Sequence, residues 1–206
     1  MITVTTPSEP SPPLVLVLAA GAGTRMGGPK VFARVHGRPF AAHIADTLRS
    51  LAWPALWVLR TPNQAPILSN ILDYTPDVCI NADPDGDMLS SIHVALSARQ
   101  SLFQASFCIW PVDFPLIQPE TLQTLAFELG SWDGAVPCNN NRTGHPLLAK
   151  RHILCRWISS LTRDGLRQAM FDHPAAIRQV PVSDPGPFRN LNTPGDCLDA
   201  GPAPGE

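Results

Sequence analysis

Residues Leu14-Val-Leu-Val-Leu-Ala-Ala20 form an unbroken apolar run that stops at a glycine. A strand with one wet face alternates apolar and polar side chains. A strand with no polar face must be covered on both sides, as at the centre of a parallel sheet between two helix layers. The run is far too short to cross a bilayer. The chain therefore has to build a sheet outward from a strand near its start and cover both faces with helices.

The rest of the sequence supplies those parts. From Pro39 to Leu51, the residues Phe40, Ile44, Leu48 and Leu51 fall at helical spacing, with Pro39 suited to a first helical turn. Short strands are predicted over 56–59 and 77–80, separated by a helix ending near Asp73. A helix over 88–99 places Met88, Ile92, Ala95 and Leu96 on one face. A second unbroken strand over 106–112 closes at Asp113-Phe-Pro115, and a helix follows over 119–128. Beyond it, strands are predicted over 134–137, 145–149 and 177–181, and helices over 151–161 and 164–172. This alternation predicts a three-layer αβα, Rossmann-like fold with a mostly parallel sheet. Ligands of such sheets bind beyond the carboxyl ends of the strands, near a switch in strand order.

Composition narrows the function. The chain has 206 residues and a net charge of -2, which suits one α/β domain and gives no basic excess to track a nucleic-acid backbone. Cys79, Cys108, Cys138, Cys155 and Cys197 stand far apart with no C-x-x-C pair, a reduced, cytoplasmic usage. No basic n-region precedes the first apolar run, so neither secretion nor membrane insertion is expected. The prolines at Pro7, Pro10, Pro12 and Pro13 mark residues 1–13 as a flexible head. Pro202 and Pro204 mark 199–206 as a flexible tail, leaving 14–198 as the domain.

The first strand runs into Gly21-Ala-Gly-Thr-Arg-Met-Gly-Gly-Pro-Lys30, which joins four glycines to two cations. Glycines let backbone N–H groups approach phosphate oxygens closely, and Arg25 and Lys30 supply charge. The dinucleotide fingerprint G-x-G-x-x-G fails because Met26 holds its third place. The P-loop fails because Pro29 intervenes before Lys30 and Val31 replaces the hydroxyl residue. What does match is L-A-A-G-x-G-x-R-M-G-x-x-K, present as Leu18-Ala-Ala-Gly-Ala-Gly-Thr-Arg-Met-Gly-Gly-Pro-Lys30. This resembles the nucleotidyltransferases related to the molybdenum-cofactor guanylyl- and cytidylyltransferases, and more distantly the sugar-nucleotide and methylerythritol-phosphate cytidylyltransferases. The resemblance implies the nucleotide-diphospho-sugar transferase type of fold. It also implies nucleotide contacts from Leu18, Ala19, Ala20, Gly21, Gly23, Arg25 and Lys30, the two cations acting in catalysis.

Later segments resemble further family motifs in the same order. Val112-Asp113-Phe-Pro115 resembles the family's V-D-x-P, whose aspartate binds the catalytic magnesium. The alternative for Asp113 is a cap on the helix near Pro119. Arg189-Asn-Leu-Asn-Thr-Pro-Gly-Asp196 resembles the closing N-x-N-T-P-E-D motif and offers Asn192, of the pair Asn190 and Asn192, as a second metal ligand. Gly195 replaces the family's glutamate. With Asp113 as the only charged ligand, triphosphate oxygens and water would complete an octahedral shell. Asn81-Ala-Asp-Pro-Asp-Gly-Asp-Met-Leu-Ser-Ser-Ile92 resembles the segment bordering base and ribose, which implies nucleotide contacts from Asn81, Gly86, Ser90 and Ser91. Its glycine comes one residue early, with Asp87 in the expected place; the bland alternative is a helix start capped by the serines. Arg142-Thr-Gly-His-Pro146 and Arg163-Asp-Gly-Leu-Arg167 resemble elements that face the acceptor, so His145 and Arg167 are its candidate phosphate ligands. The remaining histidines lack zinc-site spacing, and no G-x-S-x-G elbow is present.

The implied reaction transfers a nucleotidyl group from a nucleoside triphosphate to a phosphate-bearing acceptor with Mg2+, releasing pyrophosphate. The Ala-Ala-Gly, G-H-P and D-G-L-R elements resemble the CTP-using branch that modifies molybdopterin; the Asn-x-Asn-Thr-Pro ending resembles the GTP-using one. Two alternatives stay open at this point: transfer to a sugar or polyol phosphate, and delivery of a finished cofactor to a molybdoenzyme without chemistry.

Overall fold

A computed structural model describes residues 11–83, 86–98, 104–159, 165–172 and 175–200. Most of the proline-rich head (residues 1–10) and of the tail (residues 201–206) lies outside the described residues. At the centre is β1 (Leu14–Ala19), all six residues buried. It pairs in parallel with β4 (Ala55–Leu59) on one side and β6 (Ser106–Pro111) on the other. Beyond β4 lies β5 (Asp77–Ile80), also parallel. Beyond β6 the order continues through β9 (Leu147–Lys150) and β7 (Gly134–Asn139) to β10 (Ile177–Pro181). Strand β9 is antiparallel to both neighbours, and the short β8 (Arg142–Thr143) forms a hairpin with β7. A separate two-residue hairpin, β2 (Arg34–Val35) and β3 (Arg38–Pro39), lies between β1 and the first helix.

The apolar run of β1 is continuous because successive side chains enter two cores. Val15, Val17 and Ala19 join Trp57, Trp110 and Leu59 in one. Helices α1 (Phe40–Leu51), α2 (Gln64–Leu72) and α4 (Pro119–Leu129) close that core with Phe40, Ile44, Leu68 and Leu122. Leu14, Leu16 and Leu18 join Phe107 and Ile109 in the other. It is closed by α3 (Met88–Ala98) and α5 (Arg151–Ser159), which contribute Ile92, Leu154 and the fully buried Trp157; α6 (Gly165–Asp172) packs on both helices. This is the expected αβα sandwich with a mostly parallel sheet. At roughly 25 cal/mol per Å2 of apolar surface, the two-faced burial is the main stabilising term.

Some expected boundaries move. Pro39 is the cap residue before α1 rather than part of its first turn, because it closes the β3 hairpin. His145 and Pro146 precede β9 instead of opening it, since they pack against a turn at Gly186–Phe188. The expected ends of three helices, at Arg99, Leu161 and Asp164, lie outside the described residues. Among the described residues no helix is long and apolar enough to cross a membrane.

The sheet runs outward from β1 through β4 to β5, then returns across α3 to β6 on the other side of β1. That reversal is a topological switch point, and it leaves the segments after β1 and β6 side by side. Val112 N–H donates to the Leu18 carbonyl at 3.1 Å, holding them together. A distant carboxylate secures the next element. Asp184 accepts from the Gln118 N–H at 2.9 Å and the Thr121 hydroxyl at 2.8 Å, at the start of α4. Its other oxygen accepts from Gly186 N–H at 2.8 Å. Negative charge at a helix start also complements the helix dipole. The Asp184→Ala variant is expected to lose about 1–2 kcal/mol. In urea unfolding this is read as a lower midpoint at unchanged slope.

Candidate active site

The glycine-rich segment leaves β1 as a tight, folded-back loop. Gly23 sits at φ 64° and opens a 3-10 turn over Thr24–Met26, which Gly27 closes at φ 81°. Gly28 N–H returns to the Gly23 carbonyl at 3.2 Å. A Cβ on Gly23 would stand 1.9 Å from the Gly28 oxygen, so both the left-handed backbone and the contact require glycine there. At Gly21 and Gly28 a Cβ would meet nothing within 4 Å. Those glycines are not demanded by internal packing, and they leave the backbone open to a ligand. A second 3-10 turn, Lys30–Phe32, buries Val31 completely and so fixes where Lys30 begins.

Lys30 brings three separated motifs together. Its Nζ donates to Asp113 Oδ2 at 3.0 Å and to Asn192 Oδ1 at 2.6 Å. The Lys30 and Asp113 side chains are each only 18% exposed. Arg25, an exposed residue, reaches the same Asn192 oxygen at 3.5 Å. Asp113 follows β6 at the sheet edge, and its carbonyl accepts from Leu191 N–H at 2.8 Å, which ties in the last motif. Asp113 therefore does not cap α4; Asp184 supports that helix instead. Asn192 is held by the start of α7 (Pro194–Leu198), where Thr193 and Asp196 form a capping box. Asp196 accepts from the backbone N–H groups of Asn192 and Thr193, both at 2.8 Å, and these bonds hold its carboxyl below the usual range. Gly195 lies within α7, and Asn190, the other amide of the pair, is exposed.

Two oxygens from different elements, one carboxylate and one amide, converge on a single ammonium. Such a pair of hard donors fits a small divalent cation whose other ligands come from phosphate and water. Among the described residues no group of three or more His, Cys, Asp or Glu could hold a metal by itself.

The segment following β5 is knit together at the same carboxyl edge of the sheet. Asn81, 4% exposed, gives one amide hydrogen to Ser90 Oγ and one to Ser91 Oγ, each at 3.0 Å. A Cβ on Gly86 would come within 2.8 Å of Ser90 Oγ and 3.1 Å of Asn81 Nδ2, so glycine at this place is what lets the cluster close. Asp87, in the place where the motif calls for glycine, accepts from Ser90 N–H at 2.8 Å at the start of α3. Asn81 is thus committed to positioning the two serines.

His145 lies on the other flank. Its N–H donates to the Pro187 carbonyl at 3.0 Å, and its ring lies 4.6 Å from that of Phe114, next to Asp113. Its Nδ1 is buried without a hydrogen-bond partner. Burial lowers the imidazole's pKa, while the Asp113 charge pulls it up. His145 helps to line a cavity of ≈ 660 Å3 whose walls include Met88, Ile109, Val136, Leu166 and Met170. A second cavity, of ≈ 530 Å3, lies around Thr121, Asp184 and Arg189 and touches none of the expected site residues. Arg167 falls within α6, but its side chain lies outside the described residues, as does Arg163.

Arg60, the residue after β4, was not among the residues the sequence singled out; its guanidinium donates to the Ala20 carbonyl at 3.5 Å. The available signal was a charge placed directly after a parallel strand. The five cysteines are free, and burial pushes the Cys79 thiol up to about 11, so it is no nucleophile at neutral pH.

A glycine-rich loop at the switch point, with a lysine shared between an aspartate and an Asn-Thr-Pro turn, stands where a parallel α/β sheet takes its ligand. The chain belongs to the MobA-like NTP transferase domain family, which it matches over residues 15–177. The Bifunctional protein GlmU of Azorhizobium caulinodans is 33% identical over 126 residues, covering 59% of this chain and 27% of that protein. The chain thus matches only a minor part of that relative's length. Among solved structures, Rv0371c of Mycobacterium tuberculosis H37Rv has a TM-score of 0.74 at 21% identity, covering 92% of this chain and 98% of that one. A complex of Rv0371c with manganese matches at TM-score 0.65 and 20% identity, over 84% and 89%. Molybdopterin-guanine dinucleotide biosynthesis protein A from Archaeoglobus fulgidus matches at TM-score 0.65 and 22% identity, over 91% and 96%. At these identities the structures establish a common fold.

His145 supplies a pH test. In the unfolded chain it titrates near its ordinary value of about 6.5, and in the folded chain lower. Between the two values the unfolded state holds more protons, so stability is full above the unfolded value and falls as the pH drops toward the folded one. His43, whose pKa burial also lowers, acts in the same sense. The His145→Gln variant is therefore expected to lose less stability than the parent between about pH 7 and pH 5. Parallel urea midpoints across that range would exclude His145 as a proton-linked group.

Proposed function

We propose that this chain transfers a nucleotidyl group from a nucleoside triphosphate, CTP by preference, to a phosphate-bearing acceptor of the molybdopterin type. One observation carries the reading: Lys30 binds Asp113 and Asn192 at the same time, so three family motifs spread along the sequence meet at one point. The cavity beside His145 supports the acceptor class. Its walls combine apolar and thioether side chains with Asp87, Thr143 and His145, a mixture that suits a flat heteroaromatic body carrying a few polar groups. An intact Lys30–Asp113 pair favours chemistry over cofactor delivery alone. The reaction belongs to the cytoplasm, with a molybdoenzyme as downstream partner.

In this reading the loop amides after β1 receive the triphosphate, with Arg25 and Lys30 turned toward its oxygens. Asp113 and Asn192 would hold Mg2+, which when bound neutralises charge on the triphosphate. His145 and Arg167 hold the acceptor phosphate. An oxygen of that phosphate attacks the α-phosphorus in line, the bond to the bridging oxygen breaks, and pyrophosphate leaves with the electron pair. No covalent enzyme intermediate forms. Lys30 then stabilises charge that grows in the transition state, which is why its loss affects turnover more than folding.

The test is pyrophosphate release from CTP, GTP, ATP and UTP with Mg2+, against pterin-type and sugar-phosphate acceptors. Lys30→Ala is expected to lower turnover on the order of 100-fold or more at saturating nucleotide, with little change in thermal midpoint. Full turnover by that variant would rule out the phosphate clamp.

A further inference from the structure

Trp110 of β6 and Trp57 of β4 stand opposite the same residue of β1, Val17, one on each side of it. Both are fully buried in the core beneath α1, α2 and α4, so both fill volume there. Their indoles reach opposite edges of the sheet. Trp57 lines a hollow with Tyr74 and Asp77, at the amino-terminal edge where β5 begins. Trp110 donates its Nε1–H to the Phe114 carbonyl at 2.9 Å, at the carboxyl edge. A buried indole N–H needs an acceptor, and a phenylalanine would occupy most of the same space without needing one.

That acceptor belongs to the residue after Asp113. Pro111-Val-Asp-Phe114 is a four-residue turn in which the Phe114 N–H donates to the Pro111 carbonyl at 3.2 Å. Val112 N–H is held by the Leu18 carbonyl, and the Asp113 carbonyl by Leu191 N–H. The Trp110 bond takes the next carbonyl along, and of these four bonds it alone is made by a side chain. A carboxylate on a side chain as short as aspartate's points where its backbone sends it. If the Phe114 peptide rotates, the Asp113 carboxylate leaves the place where it meets Lys30 Nζ at 3.0 Å. The Phe114 ring also lies 4.6 Å from the His145 ring, so the same peptide sets the packing on the His145 flank.

We propose that Trp110 is a positioning residue: its indole N–H locks the turn after β6 and so aims the Asp113 carboxylate at the point it shares with Asn192. A divalent cation arriving with the triphosphate then meets two oxygens already set in place. Groups that orient metal ligands in this way count for about 10–100-fold in metal affinity or activity. The proposal rests on the nucleotidyltransfer reading and adds to it a core residue just ahead of the V-D-x-P pattern.

The experiment compares the full chain with Trp110→Phe and Trp57→Phe, each of which removes one buried indole from the same core. Thermal midpoints verify that each variant folds. Three quantities are read: the dissociation constant of CTP without metal, the Mg2+ concentration that half-saturates pyrophosphate release, and the dissociation constant of Mn2+ from the chain–CTP complex, from water-proton relaxation. Trp110→Phe is expected to raise both metal constants about tenfold or more and to change metal-free CTP binding less than about threefold. Trp57→Phe is expected to change all three less than about threefold. Unchanged metal constants in folded Trp110→Phe would overturn the proposal, and so would equal weakening in Trp57→Phe, which would make the effect a general softening of the core. Should Trp110→Phe fail to fold, the bond is read in the parent. There, exchange of the Trp110 indole N–H is expected to slow on addition of Mg2+ and CTP by more than that of Trp57, because the ligands and the bond hold the same turn. An equal response of the two indoles would overturn the proposal. In each of those cases nucleotidyl transfer as such still stands. If the parent neither binds CTP nor releases pyrophosphate, the nucleotidyltransfer reading fails along with this one.

Discussion

Burial of β1 on both faces is the constraint from which the rest of the molecule follows. A six-residue strand without a polar face needs two helical layers. The chain builds them by taking α1 and α2 over one face and returning across the other through α3. That return reverses the direction in which strands are added and makes neighbours of the segments after β1 and β6. The glycine-rich loop and Asp113 meet because the apolar residues beneath them leave no other arrangement. Packing energetics thus come first, and the geometry of the candidate site is a product of strand order.

The parts of this that could be read from the sequence are those with a strong local signal. The unbroken apolar runs of β1 and β6 and the helical spacing of α1 are unambiguous, and their extents matched closely. Strand direction is different, since a short apolar run such as Leu147–Lys150 looks the same read up or down the sheet. The antiparallel setting of β9 depends on the β7–β8 hairpin before it. Two-residue strands such as β2 and β3 carry no period at all. The support of α4 by Asp184 was invisible for another reason: 63 residues separate Asp184 from Thr121.

The candidate site divides in the same way. Lys30, Asp113 and Asn192 stand out because each lies in a patterned segment, and their convergence was expected from the switch-point rule. Asn81 and Gly86 were expected near the nucleotide, but a buried amide that gives both its hydrogens to serines is a scaffold, a distinction only coordinates provide. Arg60 belongs to no pattern. A single arginine after a strand is common in any sequence, and only strand register places its guanidinium beside the Ala20 carbonyl.

The bond between Lys30 and Asn192 spans 162 residues, so the two halves of the candidate site are far apart in sequence. During synthesis the glycine-rich loop leaves the ribosome before most of the sheet, whereas Asn192 and its capping box emerge after β10. The sheet has every partner it needs before then. The site is therefore completed after the sheet, and a chain stopped after β10 would lose Asn192 together with Asp184, Leu191 and Ala200, which support α4 and fill the core beneath it.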